Sequence, residues 1–192
     1  DIALMRSIPH MTVLTPSDEV STASAVKKAV ETEGPFYVRV GRAELPKIHH
    51  DDLAFEIGKA YIVHEGSDIT LACHGIMLYR ALQLASVLDE KGISCEVIDF
   101  SSLKPFDEQT LIQSVTKTGC VMSIEDHSIY GGLGSIIAEV LVQKHPARQK
   151  IIGVNDTFGQ SGTIEELFDA YGFSLANLAA EAKNLIMLKA FF

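Results

Sequence analysis

Between Gly119 and Leu141 the chain changes its periodicity once, and no other segment constrains the fold as tightly. Gly119-Cys120-Val121-Met122-Ser123-Ile124 is an apolar run with the length of a buried strand. Ile136, Ile137, Val140 and Leu141 then recur at helical spacing. The connection reads Glu125-Asp126-His127-Ser128-Ile129-Tyr130-Gly131-Gly132-Leu133-Gly134-Ser135. A buried strand that passes through a glycine-rich turn into a helix is half of a parallel β-α unit. The exit of such a strand is where open α/β sheets receive ligands and partners. The glycines let the backbone lie close to whatever is opposite.

The same alternation extends along the chain. Residues 1–10 begin as a helix-like segment, and Met11-Thr12-Val13-Leu14 reads as a strand. Ser17 or Asp18 is placed to cap a helix whose apolar face uses Val20, Ala23, Val26 and Val30. Gly34-Pro35 breaks that helix, and residues 36–40 form the next strand. This β-α-β unit, residues 1–42, is too small for a core of its own and reads as the end of a larger α/β domain. Residues 43–57, with Pro46 and little periodicity, read as a linker.

From 58 to 192 a second domain is expected, with strands near 60–63, 69–73, 94–99, 120–124 and 151–154. Helices are expected near 77–88, 107–117, 132–144, 163–171 and 174–188. Alternating elements of this kind predict an α/β fold: three layers, α/β/α, around a mostly parallel sheet. The connection Glu65-Gly66-Ser67-Asp68 is too short for a parallel crossover, so the strand before it should be the one antiparallel edge strand. Residues 1–42 should be the less stable part, because the rest of their sheet is missing.

Charge and composition exclude several classes. The formal net charge is −9, and no basic cluster exists beyond Lys27-Lys28. Nucleic acid and anionic membrane surfaces are therefore poor partners, since Lys and Arg dominate phosphate neutralisation. No apolar run approaches the roughly 18–20 residues of a membrane span. Cys73, Cys95 and Cys120 lie in apolar runs without metal-ligand spacing and read as buried, reduced thiols of a cytoplasmic protein. The first residue is Asp, which suits a portion of something longer.

Several groups could carry chemistry. Gly131-Gly132-Leu133-Gly134 lacks the dinucleotide and P-loop spacings, so it is either a tight turn or a phosphate cradle at a helix start. Glu125, Asp126 and His127 could be an acid/base cluster, a polar loop that orients the turn, or a subunit contact. Arg39 lies within a strand and should pair with an acid. Arg42 lies just past that strand, at the ligand edge, where a guanidinium can grip a phosphate with two parallel hydrogen bonds. The alternative for Arg42 is an interdomain salt bridge. His49-His50-Asp51-Asp52, on an irregular segment, reads as a solvated face rather than a metal site.

EDHSIYGGLGS, taken with VLTPSDEVSTASAVKKAV and GPFYVRVGRAELP, resembles the carboxyl-terminal half of a transketolase, closest to the split type in which this half belongs to a separate subunit. The resemblance implies the end of a pyrimidine-binding domain at 1–42 and a transketolase carboxyl-terminal domain at 58–192. It implies a parent enzyme that uses thiamine diphosphate and Mg²⁺ to move a two-carbon ketol unit between sugar phosphates. It also implies an amino-terminal partner subunit or domain, a homodimer, and contact of Arg42 with the sugar phosphate. The motifs that bind diphosphate and metal are absent here, as are the activating glutamate and the Thr-His-Gln segment. The chain alone is thus expected to bind neither cofactor nor metal, to hold no catalytic residue and to serve assembly. Deoxyxylulose-phosphate synthase and the β subunit of a 2-oxo-acid dehydrogenase share much of the pattern. A stand-alone α/β docking module is the non-enzymatic alternative.

Overall fold

The structure, a computed structural model, describes residues 1–42 and 45–189. α1 (Ile2–Ser7) leads into β1 (Thr12–Leu14), α2 (Glu19–Glu31) and β2 (Phe36–Val38). β1 and β2 pair in parallel. Asp18 is the N-cap of α2, accepting the Ser21 amide at 2.8 Å, and Ser21 completes a capping box.

The core face of α2 is not the one its apolar residues suggest. Ser21 and Ala25 point inward, while Val26 and Val30 are 46% and 83% exposed. The capping box fixes the rotation of the helix, and the small Ala25 packs against Leu14 and Phe55. Val26 and Val30 are left on the opposite side.

The larger sheet uses β3 (Tyr61–His64), β4 (Ile69–Cys73), β5 (Cys95–Asp99), β7 (Cys120–Ser128) and β8 (Arg148–Val154), with β6 (Ser102–Lys104) diverted elsewhere. Its order is β3-β5-β4-β7-β8, and only β3 runs antiparallel. The edge strand is antiparallel as its short connection requires, although it pairs with β5 rather than with its sequence neighbour β4. Around the sheet lie α3 (Met77–Asp89), α4 (Glu108–Thr118), α5 (Leu133–Lys144), α6 (Ile164–Ala170) and α7 (Leu175–Lys189). Successive residues of β4 feed opposite cores: Ile69, Leu71 and Cys73 pack with α3 and α7, while Ala72 packs with α4 and α5. Three layers result. Among the described residues no helix is long and apolar enough to cross a membrane.

Two features depart from the sequence reading. β7 continues through Ser128, so Glu125, Asp126 and His127 lie inside the strand rather than beyond its exit. Its register against β8 shifts between Ile124 and Ser128. β6, which falls between the strand expected at 94–99 and the helix expected at 107–117, pairs antiparallel with β1 and completes the smaller sheet in the order β2-β1-β6. The two sheets also share a core, because Ile2 and Val13 pack in one cluster with Phe100, Val121 and Leu133.

Candidate functional site

The C-terminal ends of β1 and β2 open onto a cleft of about 410 Å³, lined by Ser17, Asp18, Thr22, Val40, Gly41 and Ile76. Arg42 follows directly on Gly41. It is exposed, and it makes no hydrogen bond or ion pair among the described residues. Arg39, three residues earlier, is held on all sides. Its Nε donates to Asp1 Oδ2 at 2.9 Å, its Nη1 to both oxygens of Asp126 at 2.9 and 3.0 Å, and its Nη2 to the Asp126 carbonyl at 3.1 Å. β2 ends at Val38, so Arg39, expected within the strand, lies just past it; it is nonetheless structural, whereas Arg42 is exposed and unpaired among the described residues. Ala43 and Glu44, which complete the Arg42 motif, lie outside the described residues.

A second polar group sits at the switch point of the large sheet, where β5 lies on one side of β4 and β7 on the other. Alternation along β7 places Glu125 and His127 on one face and Asp126 on the other. Glu125 is buried and accepts the amides of Leu133 and Gly134 at 2.7 and 2.9 Å. These are the first free N–H groups of α5, so the anion position at this helix start is filled by the chain's own carboxylate. That excludes the phosphate-cradle reading of the glycine turn and leaves the tight turn. Gly132 is needed because a Cβ there would collide with Glu125 Oε2 and stand 2.7 Å from His127 Nδ1. Gly131, at φ +76°, lies against Ala3 of α1, and its carbonyl accepts Arg6 Nη1 at 2.8 Å.

The electrostatics follow from burial and partners. Burial raises the Glu125 carboxyl, but the His74 imidazole and the two α5 amides bring it below its ordinary value. His74 Nε2 and His127 Nδ1 lie 3.9 and 3.7 Å from Glu125 Oε2. Burial pushes His127 down, against the pull of Glu125. Its Nδ1 donates to the Ser128 carbonyl at 2.8 Å. This cluster is enclosed and carries no accessible nucleophile. The three cysteines are free and buried. Burial raises Cys95 to about 12 and Cys120 to about 11, and Cys73 well above its ordinary value.

His49 corrects the sequence reading. His50, Asp51 and Asp52 are exposed, as a solvated face requires, but His49 is buried. Its Nδ1 lies 3.2 Å from Asp18 Oδ2 and its Nε2 3.4 Å from Asp99 Oδ2. The Ile48 and His49 amides donate to the same Asp18 carboxylate and draw the segment inward. Burial raises Asp18, yet the His49 amide, Ser21 and the Ile48 amide outweigh it and hold the carboxyl far below its usual range. Of the residues read from sequence, Glu125 and His127 come together; Asp126 turns to Arg39, and Arg42 stands apart. Asp99 and His74 were not singled out, and His49 was read only as part of a solvated face. Asp99 closes β5 and His74 follows β4, positions to which the switch-point rule points.

These features define a two-sheet α/β chain with buried acid–imidazole pairs where strand ends meet and an exposed arginine next in sequence to the cleft-lining Gly41. The chain belongs to the transketolase family. Residues 58–178 match the transketolase C-terminal domain, and residues 1–47 match the transketolase pyrimidine-binding domain. An apulose-4-phosphate transketolase subunit of Phocaeicola vulgatus is 37% identical over 187 residues, covering 97% of this chain and 60% of that protein. The 6-deoxy-6-sulfo-D-fructose transketolase subunit SqwH of a Clostridium species is 36% identical over 191 residues, covering 100% and 59%. A split-gene transketolase, solved as an inactive beta4 tetramer, superposes with a TM-score of 0.94 at 42% identity, over 98% of this chain and 62% of that one. The chain thus spans about three fifths of the length of these three relatives.

Proposed function

We propose that this chain is the carboxyl-terminal part of a transketolase-type enzyme that transfers a two-carbon ketol unit between sugar phosphates, and that it supplies Arg42 as the grip on the substrate's anionic end. In this reading residues 1–42 end a pyrimidine-binding domain, 43–57 are a linker, and 58–192 are the carboxyl-terminal domain. An amino-terminal subunit or domain completes the enzyme, which works as a homodimer.

The observation that carries the reading is Arg42 itself: an exposed guanidinium without a partner among the described residues, beside a cleft at the C-terminal edge of a parallel strand pair. The names of two relatives contain a sugar 4-phosphate and a 6-sulfo sugar. Both substrates end in an anion, which a guanidinium can meet with paired N–H groups.

In this reading the cofactor is held by the partner. At the two helix starts nearest the cleft and the switch point, Asp18 and Glu125 already take the amides that a diphosphate would need. Among the described residues no group of three or more His, Cys, Asp or Glu side chains is arranged so that it could hold a metal ion. Thiamine diphosphate and Mg²⁺ therefore belong to the partner in this reading, and no chemical step is assigned to this chain. Its work is to bind and orient.

Reconstitution tests the proposal. Ketol transfer should require both this chain and its amino-terminal partner. In the assembled enzyme, Arg42→Ala should weaken phosphorylated donors about 10- to 150-fold, mainly in KM, because a charge-assisted contact contributes about 1.5–3 kcal/mol. Equal weakening of phosphorylated and unphosphorylated donors would remove the phosphate role.

A further inference from the structure

Three parts of the chain converge on one water-excluded cluster: Asp18 from the cap of α2, His49 from the segment after β2, and Asp99 from the end of β5. Their side chains are 0%, 5% and 0% exposed. Asp18 accepts the Ser21 amide and hydroxyl and the Ile48 and His49 amides, at 2.7–2.9 Å. Asp99 accepts the Ser17 and Ser101 hydroxyls at 2.8 and 2.7 Å. No Lys or Arg among the described residues pairs with either carboxylate.

The His49 ring is placed so that each nitrogen looks at a carboxylate oxygen, at 3.2 and 3.4 Å, and neither contact is aligned as a hydrogen bond. A neutral imidazole has one N–H. Its other nitrogen would then set a lone pair against a carboxylate oxygen where no water can intervene. Two ionised carboxylates and a neutral ring would be a buried, uncompensated charge, which folded proteins avoid.

We propose that Asp18, His49 and Asp99 hold one proton more than a neutral imidazole and two carboxylates would carry, and that this proton is a latch fastening the segment after β2 across both sheets. The proton sits between His49 and Asp99, since four donors already satisfy Asp18. Burial raises the Asp99 carboxyl, in the direction this placement requires. The other groups around the ring do not supply the charge. Tyr61 presents a ring edge at 5.8 Å, and its hydroxyl accepts the Glu56 amide. The Cys73 thiol is held neutral by burial. The His74 ring reaches Asp99 only electrostatically.

The latch sets the position of the cleft rim. Beyond His49 the segment is tied to α2 by the Ser24 hydroxyl, which donates to the Leu53 carbonyl at 2.9 Å, and before it Leu45 lines the cleft. The folded state holds a proton that the unfolded chain gives up near neutral pH. With one more proton bound in the folded state than in the unfolded chain, the contribution is lost as pH rises through the cluster's own titration. The latch forms whatever Arg42 binds.

NMR of the ring nitrogens in the intact chain at pH 6–7 tests it directly, with His49 assigned by its loss in His49→Gln. Two protonated ring nitrogens, or a neutral ring beside a protonated Asp99 carboxyl, are the expected results. A neutral ring beside an ionised Asp99 overturns the proposal. Hydrogen exchange gives a second reading should His49→Gln fail to fold. After correction for intrinsic rates, protection of the Ile48 and His49 amides should fall with pH, by up to about 10-fold per unit, once the proton leaves. Asp99→Asn removes one carboxylate and should abolish that dependence. An undiminished dependence in Asp99→Asn would show that no shared proton is involved.

Discussion

Arg39 and Asp126 face each other across the seam between the two sheets, with Nη1 at 2.9 and 3.0 Å from the carboxylate oxygens and Nη2 at 3.1 Å from the Asp126 carbonyl. The pair is 24% and 28% exposed, so solvent screens it only in part. Arg39→Ala should lower stability by about 1–2 kcal/mol in urea unfolding, a value between exposed pairs and fully buried charged hydrogen bonds. Arg39→Lys should recover little, because an ammonium cannot serve both carboxylate oxygens and the carbonyl at once. An unchanged midpoint for Arg39→Ala would mean that packing alone closes the seam.

Gly132→Ala tests the enclosure of Glu125. The added methyl must displace the carboxylate from the α5 amides or shift the turn. A loss of at least about 2 kcal/mol is expected from overpacking combined with a broken charged contact. Thermal unfolding of the variant measures it, and a change below about 0.5 kcal/mol would show that the turn yields freely.

Acid should unfold the chain through Glu125 and Asp18. Both carboxyls lie below their ordinary values in the folded state. Their stabilisation is therefore complete above the unfolded values, near about 4, and is lost as pH falls through the lower folded ones. Unfolding free energy should thus decline below about pH 4, and Glu125→Gln should flatten the slope while lowering stability at neutral pH. A Glu125→Gln chain with the wild-type slope would assign the acid sensitivity elsewhere.

Exchange rates should divide the smaller sheet. β1 lies between β2 and β6, and Val13 and Leu14 are fully buried, whereas β2 is an edge strand of half-buried residues. Amides of β2 should exchange fastest, those of β1 much more slowly, and those of β7 slowest. Equal rates in β1 and β2 would show that β6 adds no protection.

What the sequence discloses depends on how many residues share a signal. β4, β5 and β7 are buried on both faces and stand out as apolar runs. β6 has three residues, Ser102-Leu103-Lys104, too few for a period. Val26 and Val30 mislead because the capping box at Asp18 and Ser21, not apolarity, sets how α2 turns. His49 is hidden by three exposed polar neighbours, although it alone turns inward. Asp99 and His74 occupy strand ends and are found by asking where the chain reverses direction across the sheet. Arg39 and Arg42 both follow β2, and it is the carboxylates of Asp1 and Asp126 beside Arg39 that separate them.

The crossing of β6 into the smaller sheet makes residues 43–57 a poor place to divide this molecule. A segment of that composition looks like a seam where modules could be exchanged or expressed apart. Severed there, the larger piece would carry an unpaired strand and the smaller one would lose a neighbour along β1. Recombination of such proteins should therefore keep β1 and β6 together rather than cross over within residues 43–57.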